Sequence, residues 1–257
     1  VRTIAHNCVL VHDPAETWKQ MRDGGRAPYA NDGGQAKKWQ WPVQDLDTWK
    51  QRKDEFERGD IVAYANTDGA LFVAADVTAA YSPQKLKLWT RQIVYIRPGL
   101  FVVLDRVEST KPEFAKTWLL HCRNEPTLKD NGFSIKDGAG ELHGQCLLPA
   151  GARLAAINGY TYGGQTFDPP QSGHTKFACK WRIETTPATA ATGDVFLHVL
   201  STEGAVDAEV KESGGKLTVK VSKPVRAEIT FGQDIGATVK AGKTIEFKRE
   251  ILAGKYE

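Results

Sequence analysis

The sequence predicts an all-β protein, a large antiparallel β-sandwich followed by a small C-terminal β domain. Three observations predict it. Short runs rich in Val, Ile, Thr and aromatic residues recur along the whole chain, with Gly, Pro, Asn and Asp between them. A single segment has helical spacing, and no 20–50-residue repeat is present. The 257 residues are 41% hydrophobic and 25% charged, an ordinary balance that allows one large core or two smaller ones.

The elements follow in order. Residues 3–12, TIAHNCVLVH, read as a weakly alternating strand. Regular alternation would put Ile4, His6, Cys8, Leu10 and His12 on one face and Asn7 on the other. In 43–58, Leu46, Trp49, Lys53 and Phe56 are loosely helical in a polar setting, so a short surface helix is expected. Strands are expected at 61–64 and 71–75. Residues 86–107 read as a hairpin whose turn is Arg97-Pro98-Gly99. Further runs lie at 117–121, 133–135, 141–148, 181–184 and 195–200. Near Ser201 aromatics almost vanish, and small and charged residues alternate with Val and Ile. The expected boundary falls there, with residues 1–200 as the sandwich and 201–257 as the small β domain.

Composition excludes several classes. No run of 18 apolar residues suggests a membrane span. A net charge of +3, from 34 basic and 31 acidic residues, is too balanced for a nucleic-acid binder. Lys37, Lys38, Lys85, Lys87 and Arg91 could form a local basic strip, although a solvated face is the plainer reading. Four widely spaced cysteines with no CxxC pair argue against a zinc knuckle. Cys8, Cys122 and Cys146 sit in apolar runs, where a free thiol packs as a small hydrophobe, while disulfides in an exported protein stay open because the sequence pairs none. Gly-x-Ser-x-Gly, His-Glu-x-x-His and phosphate-loop patterns are absent from the sequence.

Two regions carry candidate chemistry. His6 is a candidate metal ligand, because imidazole combined with carboxylate suits zinc. His12 lies too far along an extended strand to share that ion, so further ligands must come from elsewhere. From spacing alone, a lone strand histidine is more often structural. The second region is the loop around Trp18, Arg26, Tyr29, Lys38, Trp39 and Trp41. Aromatic faces stack on sugar rings, and Arg or Lys pair with carboxylate or sulfate. The plain alternative is a loop packed over the sandwich edge by its own tryptophans. Tyr81 reads as core, and His121, His198 and His143 as buried and hydrogen-bonded. His174 reads as exposed. The loop 159–170 reads either as covering or as a source of ligand contacts through Tyr160 and Tyr162.

Several stretches together resemble the C-terminal region of heparinase II/III-like polysaccharide lyases. They are Arg2-Thr-Ile-Ala-His-Asn7, Val11-His-Asp-Pro14, Asn31-Asp-Gly-Gly-Gln35 and Ala75-Asp-Val-Thr-Ala-Ala-Tyr81. Arg91-Gln-Ile-Val-Tyr-Ile96, Phe101-Val-Val-Leu-Asp-Arg-Val107 and Trp118-Leu-Leu-His121 follow in order. Leu147-Leu-Pro149, Trp181-Arg-Ile-Glu184 and Phe196-Leu-His-Val-Leu200 complete the set. The resemblance covers residues 1–200, and the tail adds little. It implies an (α/α) toroid ahead of the sandwich and β-elimination on uronate polysaccharides of the heparin, heparan sulfate or alginate type. It also implies a zinc ion near the cleft and a periplasmic or secreted location. Of the family's zinc ligands only the histidine of the His-Asn motif matches, at His6. The other two would precede Val1.

The family's base and acid belong mostly to the toroid, so the catalytic residues are unknown in this chain. The abrupt start in mid-strand, without an initiator Met, adds to the expectation of a C-terminal part of a larger enzyme. The expected partners are an acidic polysaccharide and the N-terminal toroid. Without the toroid, the chain is expected to be inactive, to hold zinc weakly and to self-associate. The alternative reading is a non-catalytic carbohydrate-binding or structural β module.

Overall fold

A computed structural model describes residues 3–16, 31–35, 45–53, 58–167 and 179–249. The strands are numbered in chain order. The largest sheet has eight, in the order β2 (Asp60–Asn66), β3 (Ala70–Asp76), β4 (Leu86–Ile96), β5 (Leu100–Ser109), β14 (Gly193–Ser201), β9 (Gly140–Leu148), β8 (Gly132–Asp137) and β7 (Thr127–Lys129). A four-stranded sheet runs β1 (Val9–His12), β6 (Ala115–Cys122), β13 (Trp181–Thr186) and β10 (Arg153–Asn158). The tail forms a five-stranded meander of β15 (Asp207–Ser213), β16 (Lys216–Lys223), β17 (Ala227–Phe231), β18 (Gly236–Ala241) and β19 (Lys243–Lys248). A small hairpin, β11 (Thr161–Tyr162) with β12 (Gln165–Thr166), lies apart. Neighbouring strands pair antiparallel, so the protein is all-β.

The large sheet packs on both faces, and its alternation shows how. Leu100, Val102 and Leu104 of β5 share one core with Leu217, Val219, Ile229 and Phe231 of the tail sheet. The rings of Phe72 and Phe247 stack across that core, 5.3 Å apart. Side-chain amides tie the layers as well: Ala208 N donates to Gln145 Oε1 and Gly236 N to Gln92 Oε1, each at 2.9 Å. On the opposite face, Trp89, Val107 and Phe196 meet Val9, Val11 and Trp118 of the four-stranded sheet. A second cluster there joins Cys122, Ile183, Phe133 and Ile135. Gly144 is required where Phe133 crosses it, because a Cβ would stand 2.1 Å from Phe133 Cζ.

The hairpin of β4 and β5 forms as the turn residues predict, with Ile96 opposite Leu100. Within the expected segment 43–58, the described residues form helix α1, Leu46–Gln51, capped by Asp45, whose carboxylate accepts from Thr48 N at 2.7 Å. Leu46 and Trp49 stay exposed on it, as expected of a surface helix.

The first expected strand is corrected. Thr3–Ala5 is a 3-10 turn, residues 6–8 bend, and only Val9–His12 is strand. Pairing with β6 starts at Val9 opposite Trp118. Upstream of it, the buried Asp32 carboxylate receives Ile4 N at 3.3 Å and turns the chain away. The shared face expected for Ile4, His6 and Cys8 therefore does not form. The basic strip is also corrected. Lys85 is fully buried, donating to Glu16 at 2.6 Å and to Gly34 O at 2.7 Å, and Arg91 is paired with Asp105.

Candidate functional site

The site is built around His6, whose position depends on its neighbours. The side chain of His6 is exposed. Its own N–H donates to Thr3 O at 3.0 Å, and its carbonyl accepts from Cys8 N at 2.8 Å, which closes the bend. Strand β6 holds the bend from one side: His121 N donates to Asn7 Oδ1 at 2.8 Å. The His121 ring places Nε2 2.8 Å from Ile4 O, so Nε2 carries the proton and donates. Burial, with Arg182 and His6 nearby, pushes the His121 pKa down to about 4, so the ring is neutral near pH 7.

Strand β4 holds the bend from the other side. Arg91 Nη1 donates to Asn7 O at 2.6 Å. The rest of that guanidinium is bound to Asp105, with Nε at 2.7 Å and Nη2 at 3.1 Å. Asp105 is fully buried and accepts two more donors, Trp89 Nε1 at 2.7 Å and Trp118 Nε1 at 3.1 Å. One carboxylate thus gathers β4, β5 and β6, and through Arg91 it reaches the residue after His6. Tyr81 supports the same corner. It is buried as expected of a core residue, its hydroxyl donates to Val9 O at 2.6 Å, and burial holds its pKa well above the ordinary phenol.

As a metal site the described residues are incomplete. Among them no group of three or more His, Cys, Asp or Glu could hold an ion. His6 is the right ligand type for zinc, which takes four ligands at structural sites, and His121 is committed to Ile4 O. Cys122 and Cys146 are buried free thiols whose pKa values burial pushes up to about 11 and about 12. They stay protonated and pack as small apolar groups.

The other sequence candidates separate cleanly. Trp18, Arg26, Tyr29, Lys38, Trp39 and Trp41 lie outside the described residues, as does His174. The described flank of that loop is anchored. Asn31 Nδ2 donates to Asp13 O at 2.6 Å, Gly33 O accepts from Val11 N at 2.8 Å, and Gln35 N donates to Thr3 Oγ1 at 2.8 Å. Gly33 has φ +71, a region that favours glycine. Tyr160 is buried with Ile4, Leu10, Leu119 and Phe167, and Tyr162 packs against them, so both cover the outer face of the four-stranded sheet. Beneath them Arg182, almost fully buried, pairs with Glu184 at 2.6 Å and donates to the carbonyls of Gly159 and Thr161. His198 is fully buried, stacked on Trp118 with ring centroids 3.7 Å apart, and its Nε2 lies 3.0 Å from Thr185 Oγ1. His143 is half-buried, 3.6 Å from Glu141.

The structure adds Asp105, and with it Arg91, which the expected basic strip misplaced. The signal was available: Arg91 and Asp105 are equally distant from Pro98, so the expected hairpin makes them direct partners, as they are.

Fold and site define an all-β protein of three stacked antiparallel sheets with, among the described residues, one exposed, well-anchored histidine. No family model matches the chain, and no curated protein matches it in sequence. Among solved structures it is similar to heparan sulfate lyase HepC from Pedobacter heparinus, at 14% identity and TM-score 0.48, over 69% of this chain and 28% of that one. A heparinase III structure gives 12% and 0.48 over 68% of this chain and 27% of that one. A second heparinase III gives 11% and 0.49 over 74% and 33%. This chain therefore spans about a third or less of the structures it resembles.

Proposed function

We propose that this chain is the β-sandwich part of a polysaccharide lyase acting on uronate-containing polysaccharides, with His6 as one ligand of a zinc ion. The ordered stretches from Arg2 to Leu200 support the reading. The observation that carries it is the presentation of His6. Its flanks are tied down at Ile4 and Asn7 by groups from β4 and β6, while its ring faces solvent. A histidine that merely filled space would be covered instead.

β-Elimination needs the uronate carboxylate neutralised, a base for the C5 proton and an acid for the departing O4. Bound zinc would supply a fixed positive charge beside an anionic sugar chain. His6 would hold it as neutral imidazole, and the remaining ligands come from outside the described residues. No residue of this chain is assigned as base or acid. The partner is an acidic polysaccharide of the heparin, heparan sulfate or alginate type, met in the periplasm or outside the cell.

The test is an ultraviolet assay for the unsaturated uronate product, using heparin, heparan sulfate, chondroitin, hyaluronan and alginate. It compares the 257-residue chain, the product of the whole gene, and the whole product carrying His6→Ala. Cleavage by the whole product, with the chain silent and His6→Ala impaired, is expected. Cleavage by the chain alone would place the complete active site within these residues. Glycan binding by the whole product without cleavage of any substrate would sink the lyase reading and leave a carbohydrate-binding module.

A further inference from the structure

We propose that Arg91 is a positioning residue for His6. Anchored on Asp105, it holds the Asn7 carbonyl and so fixes where the imidazole stands. The inference rests on the reading of His6 as a ligand.

The argument starts from cost. Asp105 is fully buried, near the middle of β5, and a buried carboxylate is stabilising only when its lone pairs are met. Four donor contacts meet it, two from indoles and two from Arg91. A pair serving the core alone would end there. The guanidinium instead turns its remaining arm outward, to a backbone carbonyl in an irregular bend 84 residues away in sequence. Asn7 has no strand partner that needs this bond, because β1 begins only at Val9. Arginine suits the task because its planar fork binds a carboxylate on one side and keeps a donor free on another. Trp89 lies against it, with the Arg91 guanidinium 5.5 Å from the indole centroid, which restricts the fork further. His121 gives the bend a second strut through the Asn7 side chain. The two struts come from different sheets, so the bend is fixed relative to both. A ligand must be held this way, because a metal site loses affinity when the groups behind its ligands loosen.

The test substitutes Arg91→Lys. Lysine keeps a positive charge for Asp105, but its single nitrogen cannot also span to Asn7 O. In the 257-residue chain, amide exchange at His6 and Cys8 is expected to quicken at least about tenfold, while β5 and β14 keep their protection. In the whole gene product, zinc affinity is expected to fall about 10- to 100-fold at unchanged fold, the usual effect of losing such support. Unchanged exchange at residues 6–8 together with unchanged zinc affinity in folded Arg91→Lys would overturn the proposal. Should that variant fail to fold, the wild-type chain answers instead. A through-hydrogen-bond coupling from the Arg91 Nη to the Asn7 carbonyl supports the clamp, and a freely rotating guanidinium refutes it. The ligand reading is tested separately, by the zinc retained by the whole product and its His6→Ala variant. Equal zinc in both would end that reading and leave the exchange result to decide the clamp.

Discussion

Asp105 shows how much a single residue can organise. Charge counting treats it as one of 31 acidic residues, yet it is a buried hub for two tryptophans and an arginine. Asp105→Asn keeps the shape but sets an amide N–H₂ against donors and leaves Arg91 without its counter-charge. Removing one partner of such a pair costs roughly 3–5 kcal/mol. A urea midpoint close to wild type would show that solvent already serves Arg91. His198 gives a second prediction, in pH. Burial, with Arg91 nearby, pushes its pKa down to about 3, against an ordinary 6.5. The folded state therefore prefers the neutral ring. Stability is complete above pH 6.5 and is lost as pH falls from there towards 3, because the unfolded chain takes up the proton first. His198 alone accounts for roughly 3 kcal/mol between pH 7 and pH 4, at about 1.4 kcal/mol per pH unit. His121 acts in the same direction down to about pH 4. His198→Phe keeps the stack on Trp118 and should flatten the acid slope of the urea midpoint. An unchanged slope would place the acid sensitivity elsewhere. At this scale the sequence shows which residues are chemically able, as with His6. It misses which cations are paired inside the fold, as with Lys85 and Arg91, because partners such as Glu16 and Asp105 come into reach only through the fold.

Elements with local signals were the legible ones. The β4–β5 hairpin announces itself by a turn between two β-branched runs, and its register follows from the turn. The first strand was misread because alternation in residues 3–8 is real in sequence but has no partner strand to pair with. A distant carboxylate, Asp32, turns that segment instead. The composition change near Ser201 does not show where the tail sheet, Asp207–Lys248, goes. Its apolar face, from Leu217 to Phe247, lies on the large sheet in one continuous core. We therefore expect tail and sandwich to unfold together. Phe247→Ala removes a ring stacked on Phe72 and should cost about 3 kcal/mol or more. Tryptophan fluorescence reports only the sandwich, because no tryptophan follows Trp181. Its transition should shift with Phe247→Ala by the same amount as the far-ultraviolet signal. A shift in the second signal alone would mean that residues 201–257 fold as an independent unit.

The whole molecule covers its large sheet unevenly. The tail sheet lies on one face. On the other, the four-stranded sheet packs over Trp89, Val107 and Phe196 and, further along, over Phe133 and Ile135. Among the described residues, no second layer packs over the corner formed by β2, β3 and the Tyr95 end of the hairpin. Cross-strand rows there run Tyr64–Val73–Ile93 and Leu71–Tyr95–Phe101, and none of these side chains belongs to a core cluster. Tyr95 and Phe101 stack 4.5 Å apart, and Tyr64 is 46% exposed at the outermost strand. A contiguous apolar patch beside an edge strand favours association. Period-two patterning shows that these residues share a face, but a second layer would leave the same pattern, so the lack of cover among the described residues was not legible in the sequence. In solution with no other partner, the available cover is a second copy. Sedimentation velocity of the 257-residue chain should show association that grows with concentration. Tyr64→Lys places a charge in the patch and should return the chain towards monomer at unchanged thermal stability. A wild-type chain that stays monomeric at every concentration would end the reading of this corner as an association surface.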